Sequence, residues 1–563
     1  MMYPLPSPPL LYPHSNLILV NCFAPAFPPS DRFYFQQSVL FLIHLHLLKR
    51  LCKSTLEEDR RRHCLFSCVK DGIATFFKKV GFLSNRFSEP AHLAVTVFFK
   101  THTFHVTPQS HSQLFSSASL LGADVKSIFL HVTHVTFQFQ EYLDYSNVIT
   151  GLHIKSRRNL DFLYKSSSLF PKLRHLHVHV DAFSLEFINL LKVNTNVTIV
   201  NMTGNRMSTD EARLLAEVLK VNGTLTGIIL ERNFINGDAF ISLAEALKDN
   251  GTLTNINLRS NSIDHEDGNV LADVLKVNDT LTSIDLGSNS IHGDGARALA
   301  EALKVNGTLT SLNLRSNKIR DEGVIALAEA LTVNDTVTSI YLGYNSIGDE
   351  GAIALAGTLI ANATVTGIWL IGNCIGTEGA RSLSEALKVN TTVTSVDLEQ
   401  NSIGDGGAIL LSDALKVNDV VTNINLCGTS VGYEGARSLS EALTVNTTVT
   451  TIILCGNYFG DDGARSLSEA LKTNTTLTSI LLGGNSIGAE GAKAVADALT
   501  VNTTVTSVNL GGNSIDDEGA EALADALKVN TTVTSIDLEA NFLALEVQEH
   551  WMKHCKSIET LKY

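Results

Sequence analysis

Few side chains in this sequence have a type and spacing that suit catalysis or metal binding. His175, His177 and His179 alternate along one predicted strand, and neighbouring imidazoles can bind zinc or copper. No acidic or cysteine ligand is placed to complete a metal shell, so we interpret these residues as an exposed histidine face. His550 and His554 share a helix face but lack the glutamate of an HExxH zinc site, so we predict no metal there.

The eight cysteines lack a paired framework. Cys64 and Cys68 lie beside His63, but this spacing alone is weak evidence for a metal site. Cys427 and Cys455 occupy equivalent places in two successive repeats, where they can form a redox pair or remain free. We favour two free thiols in a reducing compartment, and we expect a cytoplasmic protein, because sparse cysteines are typical of such compartments.

Motifs for catalysis or cofactor binding are absent from the sequence. It contains no dinucleotide fingerprint, no GxxxxGK[ST] loop and no paired carboxylates with a defined cleft. We therefore predict a non-enzymatic protein with no cofactor and no bound metal.

Residues 1–190 carry 19 Lys+Arg against 12 Asp+Glu, and the remainder carries 24 against 45. This acidic remainder argues against a nucleic-acid groove, since phosphate binding needs a basic surface.

The elements that position these side chains are set by an asparagine that recurs every 28 residues, with one exception at Thr429. The surrounding frame is apolar-x-x-apolar-x-Leu-x-x-Asn-x-apolar, as in Val505 to Ile515. A fixed period of about 20 to 50 residues is the signature of stacked repeats. The predicted ladder consists of Asn205, Asn233, Asn261, Asn289, Asn317, Asn345, Asn373, Asn401, Asn457, Asn485, Asn513 and Asn541.

Each repeat predicts one strand, one turn and one helix. Val508 and Leu510 alternate as in a half-buried strand, and Leu523 and Leu527 recur at helical spacing. The amide of the intervening Asn513 can donate and accept hydrogen bonds, so we expect it to satisfy turn backbone groups. Eleven Asn-x-Thr sequons recur beyond the helices, and we interpret them as turn chemistry rather than glycosylation sites.

The frame LxxLxLxxNxI followed by GAxALAxALKVN resembles the ribonuclease-inhibitor-like class of leucine-rich repeats. It is similar to the repeats of NOD-like receptors, ribonuclease inhibitor and Ran GTPase-activating proteins, and the uniform period looks most like the NOD-like receptor version. The resemblance implies an α/β solenoid, a horseshoe with parallel strands on the concave face and helices on the convex face. It covers residues 190–543 strongly and residues 120–190 weakly, and it implies no nucleotide-driven assembly because the nucleotide-binding loop is missing.

The composition divides the chain into five predicted segments. Residues 1–37 form an irregular lead rich in proline and aromatic residues, and residues 38–120 a helical or mixed region. Residues 121–190 hold degenerate repeats, residues 191–543 the regular array, and residues 544–563 a cap. Because the first charged residue is Asp31, we expect no secretory signal. The short apolar stretch at 39–48 predicts no membrane span.

A partner protein is the expected ligand, bound by a monomer on the concave strand face, where isolated large side chains interrupt small polar ones. Tryptophan, tyrosine and arginine dominate binding hot spots. The candidate residues are Glu231, Arg259, Arg315, Tyr341, Tyr344, Trp369, Ile371, Glu399 and Ile453. The competing interpretation is that these are tolerated surface residues of a drifting array.

Two further functional interpretations stay open at this point. The first is a Ran-type GTPase-activating protein that uses a loop or concave arginine, for which Arg259 and Arg315, with Arg232 nearby, are the candidates. The second is that the chain is a fragment or a misjoined gene product whose effector domain is missing. The family analogy that suggests a role in sensing or regulation is weak, because a fold does not fix a function.

Overall fold

The computed structural model describes residues 105–106, 134–137, 151–154, 174–178, 185–544, 547 and 560–562. Contacts within the backbone divide the chain into two compact units, Met1–Leu173 and Arg174–Tyr563. The predictions for the lead, for most of the region before residue 121 and for most of the terminal cap lie outside the described residues. So do those for the motifs around His63 and His550.

Three short parallel strands are described in the first unit. They are β1 (His105–Val106), β2 (His134–Phe137) and β3 (Gly151–Ile154). β1 pairs with β2 in the register His105 to Thr136, and β2 pairs with β3 in the register His134 to Gly151. Leu152 lies within β3, where the degenerate repeat frame places a buried strand position.

The second unit alternates strands and helices throughout the described residues 185–537. The strands are β4 (His175–Val178), β5 (Ile199–Asn201), β6 (Gly227–Ile229), β7 (Asn255–Asn257), β8 (Ser283–Asp285), β9 (Ser311–Asn313), β10 (Ser339–Tyr341), β11 (Gly367–Trp369), β12 (Ser395–Asp397), β13 (Asn423–Asn425), β14 (Thr451–Ile453), β15 (Ser479–Leu481), β16 (Ser507–Asn509), β17 (Ser535–Asp537) and β18 (Thr560–Lys562). The helices are α1 (Leu185–Val193), α2 (Thr209–Leu219), α3 (Gly237–Asp249), α4 (His265–Leu275), α5 (His292–Leu303), α6 (Arg320–Leu331), α7 (Asp349–Leu359), α8 (Thr377–Leu387), α9 (Gly404–Leu415), α10 (Tyr433–Val445), α11 (Gly460–Leu471), α12 (Ala489–Val501) and α13 (Asp517–Val529).

Strands β4 to β18 form a parallel sheet in which each strand pairs with the next one in the chain. Equivalent residues of successive repeats lie in register, as Leu312, Ile340 and Ile368 do. Their side chains point inward and are buried under the helix layer. This alternation of parallel strands and helices confirms the predicted leucine-rich repeat solenoid. Every helix among the described residues is too short or too polar to span a membrane.

The ladder asparagines are buried, apart from the partly buried Asn541 at the end of the array, and their side chains form hydrogen bonds within and between repeats. Asn317 donates from Nδ2 to the carbonyls of Leu286 and Leu314 at 2.9 and 3.0 Å, and its Oδ1 accepts the N–H of Ile291 at 3.2 Å. The side chain therefore links its own turn to the preceding repeat. The hydroxyl of Thr429 replaces only part of this pattern, because it donates to the carbonyl of Leu426.

A second row of asparagines occupies the ends of the helices, within the sequons. Asn390 is 5% exposed, and its Nδ2 donates to the carbonyl of Leu359 in the preceding helix at 2.7 Å. Its Oδ1 accepts the N–H groups of Thr392 and Val393, which agrees with the predicted turn chemistry. The nitrogen that a glycan would occupy is thus buried and hydrogen-bonded in the folded array.

Carboxylates from one repeat also cap the helix of the next. Oδ1 of Asp405 accepts the N–H groups of Gly432 and Gly435, both at 2.8 Å, at the start of α10. Helix N-termini carry unsatisfied N–H groups, which a carboxylate can satisfy. Equivalent bonds join Asp321 to Gly348, Asp349 to Gly376 and Asp461 to Gly488.

Candidate protein-binding surface

The outer side of the parallel sheet is a surface of mostly small polar side chains, which we call the strand face. In each repeat it is formed by the residues six, four, two and one before the ladder position. In the Asn317 repeat, for example, these are Ser311, Asn313, Arg315 and Ser316. All four are partly exposed, while the alternate Leu312 and Leu314 are buried. Large side chains on this face therefore do not contribute to the apolar core.

Two aromatic side chains are stacked at the middle of the strand face. Tyr341 of β10 lies in register with Trp369 of β11, and their ring centroids are 4.3 Å apart with an interplanar angle of 23°. Parallel strands lie about 4.8 Å apart, so equivalent side chains of adjacent strands are direct neighbours. The sequence-based prediction that these two rings are neighbours is confirmed.

Glycines next to the rings allow them to lie flat on the sheet. A Cβ at Gly367 would collide with the indole of Trp369, so a side chain at this place would displace the ring. A Cβ at Gly372 would collide with the ring of Tyr344, and Gly372 also has a φ of +67°, which disfavours other residues. The orientations of Trp369 and Tyr344 thus depend on the absence of a side chain at Gly367 and Gly372, respectively.

Tyr344 lies between two polar groups of the strand face. The guanidinium of Arg315 lies 4.6 Å from the centroid of the Tyr344 ring, a distance suited to a cation–π interaction. The Tyr344 hydroxyl donates to Oε1 of Gln400 at 2.7 Å. Tyr344 is 38% exposed and is held from both sides, so its ring is an ordered part of the surface.

We define the aromatic patch as Arg315, Tyr341, Tyr344, Trp369, Ile371 and Gln400. Carboxylates adjoin one side of it, because Asp397 is in register with Trp369 and Glu399 follows two residues later. Oδ1 of Asp397 accepts the N–H of Glu399 at 3.1 Å. Burial raises the pKa of Asp397, and the charge of Glu399 raises it further, whereas the positive charge of Arg315 lowers it.

Arg315 lies at the opposite end of the patch, and Arg259 lies beyond it on the same face. Among the described residues neither Arg259 nor Arg315 forms an ion pair, and Nε of Arg259 is buried without a hydrogen-bond partner. Cations on the helices differ, since most of them pair with a carboxylate three residues earlier, as Lys304 does with Glu301 at 2.6 Å. The two arginines thus retain donors that another molecule could satisfy.

The structure brings together only some of the residues predicted from the sequence. Arg315, Tyr341, Tyr344, Trp369 and Ile371 belong to the patch, and Glu399 borders it. Glu231 and Arg259 lie farther along the face, where Glu231 forms an ion pair with Arg232 at 3.5 Å. Ile453 also lies apart from the patch, in register with Leu481.

The sequence analysis did not identify Gln400, Asp397 or Leu481 as part of this surface. Gln400 occupies the same place in its repeat as Tyr344 does, two repeats later. That equivalence is a signal that could have placed it near the tyrosine hydroxyl. Leu481 occupies the same place as Tyr341, Trp369 and Ile453, so the periodic frame alone was sufficient to find it.

The space beneath the patch is too small for a ligand. The cavity between Trp369, Leu331 and Leu355 has a volume of about 20 Å³ and is lined mostly by apolar side chains. One water needs about 10–15 Å³ by this kind of measure. The hydroxyl of Thr358 in its wall donates to the carbonyl of Ala328 at 2.8 Å. The exposed patch, rather than this cavity, is the candidate binding site.

The two cysteines of the strand face are free thiols, as is the exposed Cys374. Burial raises the pKa of Cys427 to about 11, and the neighbouring Cys455 adds to the shift. Burial also raises the pKa of Cys455. Both groups therefore remain protonated thiols at neutral pH, which agrees with the preference for free thiols over a reactive pair.

Within the described residues, no group of three or more histidine, cysteine or acidic side chains is arranged to hold a metal ion.

Comparison with known structures yields distant similarities. The chain resembles the crystal structure of a TLR13–ssRNA13 complex with 16% sequence identity and a TM-score of 0.45, over 76% of this chain and 57% of that one. The crystal structure of the Rad7 and Elc1 complex in yeast has 17% identity and a TM-score of 0.39, over 79% of this chain and 96% of that one. Actin-binding site 2 of leiomodin-1 has 23% identity and a TM-score of 0.23, over 27% of this chain and 87% of that one.

The chain thus spans 57% of the length of the TLR13 chain that it resembles. No curated protein matches the sequence. The family described as "Leucine Rich repeat" matches six segments of the regular array, at residues 277–300, 305–328, 333–356, 389–412, 473–496 and 501–524. Together with the alternating strands and helices, these matches identify the chain as a leucine-rich repeat protein.

Proposed function

We propose that this chain is a non-enzymatic scaffold that binds a partner protein through the aromatic patch of its strand face. The observation that carries this proposal is the stacked pair of Tyr341 and Trp369, which is partly exposed on a face of small polar residues. Rings in this position add little to the apolar core, and a partner that covered them would gain the free energy of their burial. Leucine-rich repeats are themselves typical of protein–protein interaction modules.

The arrangement of the patch also favours binding over accidental exposure. Tyr344 is fixed between Arg315 and Gln400, so little side-chain entropy is lost when a partner orders this surface. Aromatic and arginine side chains at the centre of an interface contribute most of its affinity. A cytoplasmic location, a monomeric state and a role in sensing or regulation complete the proposal, as inferences from composition and family resemblance.

The experiment is a double substitution, Tyr341→Ala with Trp369→Ala, in the full chain. Proteins captured from a cell extract are compared by quantitative mass spectrometry with those captured by the unchanged chain. We expect a specific partner to be lost, since two truncated hot-spot residues weaken binding by about 100-fold or more. The far-ultraviolet circular dichroism should stay unchanged because neither ring belongs to the buried core.

The matched control is Ile453→Ala with Leu481→Ala. These two residues occupy the same strand-face place as Tyr341 and Trp369 and also lie in register, but outside the aromatic patch. Capture of the partner should survive this control. Equal capture by all three proteins, or equal loss in both double variants, would reject the patch as the binding site.

A further inference from the structure

The charged groups at the two ends of the aromatic patch have opposite signs. Arg315 lies against Tyr344 on one side, and Asp397 and Glu399 border Trp369 on the other. The order along the solenoid is therefore cation, aromatic rings, carboxylates. A partner that covers the rings must meet both charges, and complementary charges fix the orientation of a bound segment.

The distances across this surface limit the size of the segment. Arg315 and Glu399 occupy the same place in repeats that are three apart, so their backbones are separated by about 14 Å at the spacing of parallel strands, and the Arg315 side chain reaches from there onto Tyr344 of the next repeat. An α-helix covers this distance with about ten residues and an extended chain with about four. A single short segment of the partner is therefore long enough to contact both ends of the patch.

Arg259 and Arg315 do not contribute equally to the positive charge beside the rings. Arg259, two repeats before Arg315, has an unbonded Nε, but Asp285 lies in the repeat between them. Oδ1 of Asp285 already accepts the N–H of Gly287 at 2.8 Å, and this carboxylate forms no ion pair with either arginine among the described residues. Arg315 is thus the cation closest to the rings, and we assign the main contact to it.

At the other end of the patch, hydrogen bonds hold Asp397 and Glu399 in positions where they can bind a cation. Oε2 of Glu399 accepts from Nδ2 of Asn425 at 3.0 Å, and the backbone N–H of Glu399 is bonded to Asp397. These bonds hold two carboxylates near each other in a partly buried setting, where a positive charge from a partner would relieve their repulsion.

We propose that the patch recognises a single peptide segment that carries a carboxylate, then aromatic or large apolar side chains, then a basic side chain. The carboxylate meets Arg315, the apolar side chains cover Tyr341 and Trp369, and the basic side chain meets Asp397 and Glu399. This inference rests on the proposed function and adds the chemistry of the partner to it.

The test begins with a random peptide library displayed on phage and selected against the full chain. Peptides are kept if their binding is lost with Tyr341→Ala and Trp369→Ala, which restricts them to the patch. We expect the retained sequences to be enriched in the order acid, aromatic or apolar, base, read in either chain direction. One retained peptide is then synthesised with a fluorescent label, and its dissociation constant is measured by anisotropy.

Charge exchange between protein and peptide provides the decisive measurement. Arg315→Glu should weaken the labelled peptide about tenfold, and replacing the acid of the peptide by lysine should recover most of this loss. Glu399→Lys should behave in the same way toward the basic residue of the peptide. The control is Glu539→Lys, a reversal at the equivalent place five repeats beyond Glu399, which should leave the affinity unchanged.

The outcomes separate the two proposals. Peptides that require the rings but show no charge order, or no recovery on charge exchange, would overturn this inference and leave the proposed function intact. A selection that yields no peptide dependent on Tyr341 and Trp369 would overturn both.

Discussion

Replacing a ladder asparagine measures how far the array depends on its buried hydrogen bonds, and Asn317→Ala is the sharpest case. Asn317 is fully buried, and its side chain is the only acceptor for the N–H of Ile291 among the described residues. The carbonyls of Leu286 and Leu314 lose one bond each but retain another, from Asn289 and Asn345 respectively. The carbonyl of Arg315 also loses a bond from Asn317 and retains the one from the N–H of Ser288. One buried donor is therefore stranded, while three acceptors are only weakened.

The expected loss of stability follows from this count. A stranded buried N–H costs about 1–3 kcal/mol, and the three lost second bonds add a smaller amount. We expect the free energy of local opening to fall by about 2–3 kcal/mol, which corresponds to exchange that is about 30- to 150-fold faster. The measurement is hydrogen–deuterium exchange at the strand amides of Leu286 and Leu314, whose own bonds the substitution leaves in place.

Asn541→Ala is the matched control at the other end of the array. Asn541 makes the same three bonds, to the carbonyls of Leu510 and Leu538 and from the N–H of Ile515, but it is only partly buried. Water can replace the lost partners there, so the effect on neighbouring amides should be about 1 kcal/mol or less. If the two substitutions cost the same, or if Asn317→Ala has no effect, burial of the ladder is not what stabilises the repeats.

Two other substitutions or treatments test separate features. Asp405→Ala should destabilise the start of α10 by about 1–2 kcal/mol because it uncaps that helix, and exchange at Gly435 reports this. Asp413→Ala, which breaks only an exposed pair with Lys416, should cost less than about 1 kcal/mol, and equal costs would contradict the capping role. Iodoacetamide should modify the exposed Cys374 faster than Cys427 at pH 8, and the rate at Cys427 should keep rising up to about pH 11, where its thiol ionises. A plateau near pH 9 at Cys427 would refute this assignment. Because folding favours the neutral thiol of Cys427, the native state should also lose stability as the pH rises above about 9.

The period of the asparagines was sufficient to predict the fold, because each repeat must bury its strand and helix against its neighbours. The alternation of Val508 and Leu510 and the spacing of Leu523 and Leu527 are local signals, and all four side chains are buried. The stacking of Tyr341 on Trp369 also followed from the period, since equal places in adjacent repeats become neighbours in a parallel sheet.

Interactions that depend on side-chain direction could not be predicted in the same way. Asp517 lies in the first turn of its own helix, where a carboxylate suits the helix dipole, but its Oδ1 accepts the N–H of Ala544 in the following segment. A carboxylate near a helix start satisfies both descriptions, and only coordinates distinguish them. The bond between Tyr344 and Gln400 likewise crosses two repeats and depends on the space left by Gly372.

The bonds between repeats have a consequence for how such a gene can change. Ladder amides, helix-end amides and capping carboxylates each join residues 26 to 31 positions apart, so every module is completed by the one beside it. An insertion or deletion of 28 codons, or of a multiple of 28, recreates the same neighbours wherever the cut falls, while other lengths separate donors from their acceptors. Unequal recombination can therefore lengthen or shorten this protein in whole modules, and an event between residues 315 and 399 moves the arginine, the rings and the carboxylates of its outer face farther apart or closer together.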